Sequence, residues 1–257
     1  MGAFALIEQK KYDEFCDLYA ERSHLRNEQP VYADLMPGNY VIALLGAGRY
    51  ELLVSECRKT SEEIRQNSPE IDRSSSRFFI ALSIGYFALG QYPEALQALL
   101  DGSRAAYQDR PRTQVPGILY YEAAALKDRK ALRESKKLLN ARLRNKDITS
   151  SEFAPAGFLA GKCGSAEMLT QVDSCPPILR ERIKAQALFY MAVKALEADD
   201  PDGYRRHLEA VCALYGEAPS VTMEFEYHLA VLALNALDRH NISSKSINSL
   251  PFGRRTR

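Results

Sequence analysis

The residues VIALLGAGRYELL, 41–53, carry an apolar run into a Gly-x-Gly. Glycines at such a turn can cradle a phosphate against the N-terminus of a helix, the chemistry of a dinucleotide-binding enzyme. That chemistry needs a third glycine three residues after the second, where the pyrophosphate meets the helix. Glu51 holds that place, and its carboxylate would repel the ligand. No acidic ribose-binding residue follows a second strand, because there is no second strand in the pattern. Gly46 and Gly48 are therefore read as turn residues. Glu224 and His228 lie four apart on one helix face, as metal ligands can, but a catalytic zinc needs a third ligand and no H-x-x-x-H or H-E-x-x-H exists. His207 and Cys212 are five apart, a step that does not put a nucleophile and its base on one face. Neither G-x-S-x-G nor a P-loop occurs. Adjacent carboxylates such as Glu62-Glu63 and Asp199-Asp200 point apart on a helix. The expectation is a non-catalytic chain without metal or cofactor, and an enzyme built on helices is the least favoured class.

Bulk properties fit that expectation. The chain has 257 residues, 46% hydrophobic and 26% charged, with a formal net charge of +1. Those values suit a globular protein with a sizeable core and give no overall bias toward nucleic acid or membrane. Glu8, Lys10, Lys11, Asp13 and Glu14 exclude a secretory apolar core at the start. The longest apolar stretch, FFIALSIGYFALG, falls short of the ~20 residues of a membrane span. Five scattered cysteines without a C-x-x-C point to a reduced, cytoplasmic protein.

The elements that must position any site are helices. Apolar residues recur at three- and four-residue spacing over 78–89, 94–106, 118–126, 131–143, 183–198, 204–215 and 223–238. Polar or Gly/Pro breaks separate them, among them NSPEIDRSSS, QDRPRTQVPG and ADDPDG. Long helices with short breaks predict an all-α chain of antiparallel helical hairpins.

The stretch FFIALSIGYFALGQYPEALQALL resembles one tetratricopeptide repeat. Phe79, Leu82 and Tyr86 match its first helix, Gly90 and Tyr92 its turn, and Ala95, Leu96 and Leu99 its second helix. Ser83 stands where a Gly is usual, and Gly102 replaces a small Ala. Gly48-Arg49-Tyr50 aligns with Gly90-Gln91-Tyr92. Further turns before a second helix are expected near Lys11, Lys130, Ser165 and Tyr204, giving separations of about 35 to 42 residues. QKKYDEFCDLYAE reads as a turn and second helix preceded either by a short capping helix, MGAFALIE, or by a lost N-terminal piece. The resemblance implies one α-solenoid of about six hairpins over residues 1–240, with an extended, partly disordered tail over 241–257.

Charge is unevenly spread. Residues 127–147 hold nine Lys/Arg against three Asp/Glu, and 197–226 hold eight Asp/Glu against two Arg. Such blocks either steer a charged partner or simply solvate helix faces that balance one another. The basic block lacks interleaved aromatics for base stacking, so nucleic acid is not the expected partner. In the C-terminal third, ALFYMAVKALEADDPDGYRRHLEAV and EYHLAVLALNALDRHNISSKSINSLPF resemble the end of all-α immunity proteins of bacterial polymorphic toxin systems, the immunity protein 49 family. Ala187, Leu196, Leu208, Leu232, Leu234 and Leu237 fall where that pattern wants apolar residues; Asn241 departs from its usual Gly. The resemblance implies a stoichiometric inhibitor of a cognate toxin. A general scaffold that binds peptides in a concave groove is the alternative. Mapped onto the repeat, a concave side would carry Arg77, Ile80, Ile84, Phe87 and Tyr121, although Ile80 and Ile84 also suit a core. A basic toxin would instead meet Asp199, Asp200, Asp202, Glu224 and Glu226. The expected partner in either case is another protein.

Overall fold

The computed structural model describes residues 3–22, 30–67, 75–105, 112–144, 146 and 150–239. The regular elements among them are all helices, with no strand. The chain divides into two units, Met1–Gln108 and Asp109–Arg257, where the sequence suggested one array through residue 240. The expected extended tail, 241–257, lies outside the described residues.

The first unit contains α1 (Ala3–Glu8), α2 (Tyr12–Arg22), α3 (Pro30–Gly46), α4 (Tyr50–Asn67), α5 (Ser76–Ala88) and α6 (Tyr92–Gly102). Residues 41–46, which a dinucleotide motif would need as a strand, are the last turns of a helix. Phe15, Ile42, Leu44, Leu53, Ile80, Phe87 and Leu99 are fully buried in this unit's interior. The two departures from the tetratricopeptide pattern each have a local reason. Ser83 donates its hydroxyl to the Ala95 carbonyl at 2.8 Å, tying α5 to α6. At Gly102 a Cβ would stand 2.7 Å from Cβ of Phe79, so no side chain fits there without displacing that residue.

The second unit contains α7 (Gln114–Ala125), α8 (Arg129–Arg142), α9 (Ala154–Leu159), α10 (Ser165–Asp173), α11 (Pro177–Glu197), α12 (Pro201–Ala213) and α13 (Phe225–Arg239). Its hub is α11, which packs against α7, α9, α10, α12 and α13. The pair α9–α10 is short, six and nine residues. Met168 and Val172 of α10 pack with Ala154 and Ala187 in a small apolar cluster.

Six helix pairs are joined by the same turn. The joints are α1–α2, α3–α4, α5–α6, α7–α8, α9–α10 and α11–α12. In each, one residue takes a left-handed backbone conformation: Lys10, Gly48, Gly90, Lys127, Gly161 and Asp199. Its N–H donates to the carbonyl three residues back, and the next N–H donates to the carbonyl five back, as in Gly90 to Phe87 and Gln91 to Tyr86. This is a Schellman ending, which satisfies helix carbonyls that would otherwise lack donors. The six left-handed residues are spaced 34 to 42 apart. Glycine takes that conformation without penalty; Lys10, Lys127 and Asp199 do not, which is why the sequence marked three of these turns less clearly. Asp128 and Asp200 then cap the helices that follow, accepting from Lys130 and Ala131, and from Gly203.

Candidate functional site

The residues singled out from sequence fall into two environments. Arg77 sits half-buried in the first turn of α5. Phe87 is buried completely and meets the Tyr92 ring edge-on at 5.4 Å. Ile80 and Ile84 are also interior. Tyr121 is fully buried, with its ring edge-on to Phe189 at 5.0 Å and its hydroxyl accepting from Tyr204 at 3.5 Å. The stripe that these rings share with their helical neighbours faces the packed helices, so Phe87 and Tyr121 form core and not an exposed concave face.

The acidic group also splits. Asp199, Asp200 and Asp202 remain exposed at the α11–α12 turn. Glu224 and Glu226 are buried, at 6% and 0% exposure. They are interior acids and not surface contacts, because α13 turns its first residues onto α11 and α7. His228, four residues after Glu224, is likewise interior. The His228 Nε2–H donates to the Thr222 carbonyl at 2.7 Å, since a carbonyl can only accept.

The two glutamates form the centre of a polar cluster that sequence reading missed. Glu224 accepts from Arg182 Nε at 2.5 Å and from Gln186 Nε2 at 3.2 Å. Glu226 accepts from Gln114 Nε2 at 2.7 Å and from the Tyr190 hydroxyl at 3.2 Å. One carboxylate therefore has a guanidinium, and the other has only neutral donors. Burial is the main reason that the Glu226 carboxyl is raised to about 7, and the adjacent Glu224 charge adds to it; the Gln114 and Tyr190 hydrogen bonds act the other way. Gly117 makes room for this arrangement. A Cβ there would lie 2.2 Å from the Tyr190 hydroxyl. The available signal was Glu226 itself, an acid inside the apolar run FEYHLAVLAL.

A second polar knot joins α7, α8 and α11. Glu197 accepts from the Tyr120 hydroxyl at 2.6 Å, from Lys194 at 2.5 Å and from Lys136 at 3.0 Å. Both ammonium groups also stand over the Tyr120 ring, 5.3 and 5.6 Å from its centroid. Burial alone would raise the Glu197 carboxyl, but these hydrogen bonds outweigh it and hold it at about 2. Burial, helped by the bond to Glu197, pushes the Tyr120 phenol above its ordinary range.

Chemically, these clusters are closed. Every carboxylate named in them is engaged by donors, and no group of three or more His, Cys, Asp or Glu among the described residues is placed to hold a metal ion. No helix among them is long and apolar enough to cross a membrane. What stays outward is charge: the aspartates of the α11–α12 turn and the cations of α8. Among the described residues the exposed large hydrophobics are Leu52 and Leu179. The chain matches no protein-family model, no curated protein and no solved structure.

Proposed function

We propose that this chain is a non-catalytic, protein-binding α-solenoid of tetratricopeptide-like hairpins that acts in the bacterial cytoplasm as an immunity protein, neutralising a cognate toxin by stoichiometric binding. The observation that carries the repeat reading is the six-fold recurrence of one Schellman turn at 34- to 42-residue spacing. That is the period of helical-hairpin arrays, whose usual work is to present an extended surface to another protein. The non-catalytic part is supported by the closed state of the buried polar clusters.

The dedicated-inhibitor form is favoured over a general groove binder by what the surface offers. The rings nominated for a groove, Phe87 and Tyr121, are spent on the core. Exposed charge remains at Asp199, Asp200 and Asp202. Complementary charge speeds encounter and selects one partner, which suits a protein that must capture a toxin before it acts.

The test is capture from the native lysate on the tagged full chain, followed by mass spectrometry and expression of the captured protein alone. One stoichiometric partner that survives high-salt washing and is toxic by itself is the expected result. Several substoichiometric, salt-sensitive partners would replace the inhibitor reading with that of an adaptor.

A further inference from the structure

Helix α8 packs chiefly against α7. Its apolar side turns inward at Ser135 and Leu139, both fully buried. The opposite side carries Arg129, Arg133 and Lys137 at four-residue steps, with Lys130 beside them and Arg144 just past the helix end, all exposed. At 1.5 Å rise per residue, four-residue steps put a cation about every 6 Å along one line. The carboxylates near this line are already committed. Asp128 caps the helix, Glu134 pairs with Lys137 at 3.7 Å, and Glu197 is taken up by Lys136, Lys194 and Tyr120. Arg129, Lys130, Arg133 and Arg144 pair with no carboxylate among the described residues. In a chain of net charge +1 this is a concentrated field. Packing explains the inner side of α8 and leaves the regular outer spacing unexplained.

We infer that the outer face of α8, centred on Arg129, Arg133 and Lys137, is a docking surface for an acidic helix of a protein partner, whose carboxylates at four-residue steps match the cations in register. The inference rests on the protein-binding reading and gives it a surface. An acidic helix repeats its carboxylates at the same ~6 Å as the cations, so several pairs form without either backbone bending. A nucleic acid fits the face less well. Helix α8 itself carries no aromatic for base stacking.

The test uses the full chain and three fluorescent probes. The first is a Glu/Ala helical peptide with Glu at every fourth residue, the second is the same composition scrambled, and the third is a DNA duplex of matching charge. Anisotropy titrations at low and moderate salt read the affinities. The registered peptide should bind about tenfold tighter than the scrambled one, as a few ion pairs of ordinary strength add up to that factor. Arg129→Glu/Arg133→Glu/Lys137→Glu should weaken it at least about tenfold. Arg58→Glu, an exposed charge change on α4, should leave it unchanged; far-UV circular dichroism checks both variants for folding. Equal binding of the two peptides, unaltered binding by the folded triple variant, or tighter binding of the duplex would each overturn the inference. None of these outcomes touches the capture experiment, so this surface can fail while the protein-binding reading stands.

Discussion

Replacing Glu226 by Gln should make the second unit less sensitive to pH, and the structure fixes both sign and size. Glu226 is fully buried, and its named partners, Gln114 and Tyr190, are neutral donors. The other titratable groups of the cluster are Glu224, held by Arg182, and Tyr190. The folded carboxyl is raised from 4.5 to about 7. A group with a raised folded value binds more protons folded than unfolded, so its contribution is fully present below about pH 4.5 and is lost as pH rises through about 7. Each tenfold change in proton affinity is worth about 1.4 kcal/mol, so ionisation inside the fold costs about 3 kcal/mol. Glutamine is the neutral isostere. Its carbonyl can accept from Gln114, and its amide can donate to the Tyr190 hydroxyl, which both accepts and donates. Relative to wild type, Glu226→Gln should thus be near neutral at pH 5 and more stable by up to about 3 kcal/mol at pH 8. Urea unfolding followed by circular dichroism across that range measures the difference, and amide exchange of Leu229 and Leu232 reports α13 directly. A difference between variant and wild type that stays flat from pH 5 to 8 would refute the reasoning, because a carboxyl with a raised folded value must make the wild type lose stability over that range.

Other expectations follow from the same geometry. Glu197 has a lowered folded value, so its stabilisation is present at neutral pH and lost as pH falls through the range below 4.5. Glu197→Gln should cost about 1–2 kcal/mol at pH 7, after allowance for partial exposure, and much less near pH 2, as read by urea midpoints. Gly117→Ala should cost about 2 kcal/mol by forcing the Tyr190 ring aside, and adding Tyr190→Phe should recover part of that loss in a double-mutant cycle. Gly90→Ala meets nothing within 4 Å and has only its left-handed backbone to oppose it. Its cost should be about 1 kcal/mol by thermal melting, whereas Gly164→Ala, which has equal space and no left-handed backbone, should cost clearly less.

The helices themselves were legible because their signal is local. Apolar periodicity placed α5 to α8, α12 and α13 within four residues of their observed ends and missed the first six residues of α11. Glycine marked the turns at Gly48 and Gly90, and the turns expected near Lys11, Lys130, Ser165 and Tyr204 fall one to five residues after the left-handed Lys10, Lys127, Gly161 and Asp199. The fate of the candidate site residues was not local. The run FEYHLAVLAL marks Glu226 as an acid among apolar residues, but it does not say which side chains would meet it. That choice depends on Gly117 and Gln114 of α7, more than a hundred residues earlier, and on where α11 holds its tyrosine.

The sequence alone therefore determined an all-helical chain, the rough position of its longer helices and of several turns, and a basic block at 127–147 beside an acidic one at 197–226 in composition. Those properties follow from periodicity, turn chemistry and side-chain charge, which are carried by near neighbours. Only the tertiary structure decided which charges are spent and which face outward. It sealed Glu224 and Glu226 behind α7 and α11, and left Asp199, Asp200 and Asp202, and Arg129, Arg133 and Lys137 of α8, in solvent. Desolvation is the physical reason: an acid or base is defined by its residue type, but its proton affinity and its availability to a partner are set by what the fold packs around it.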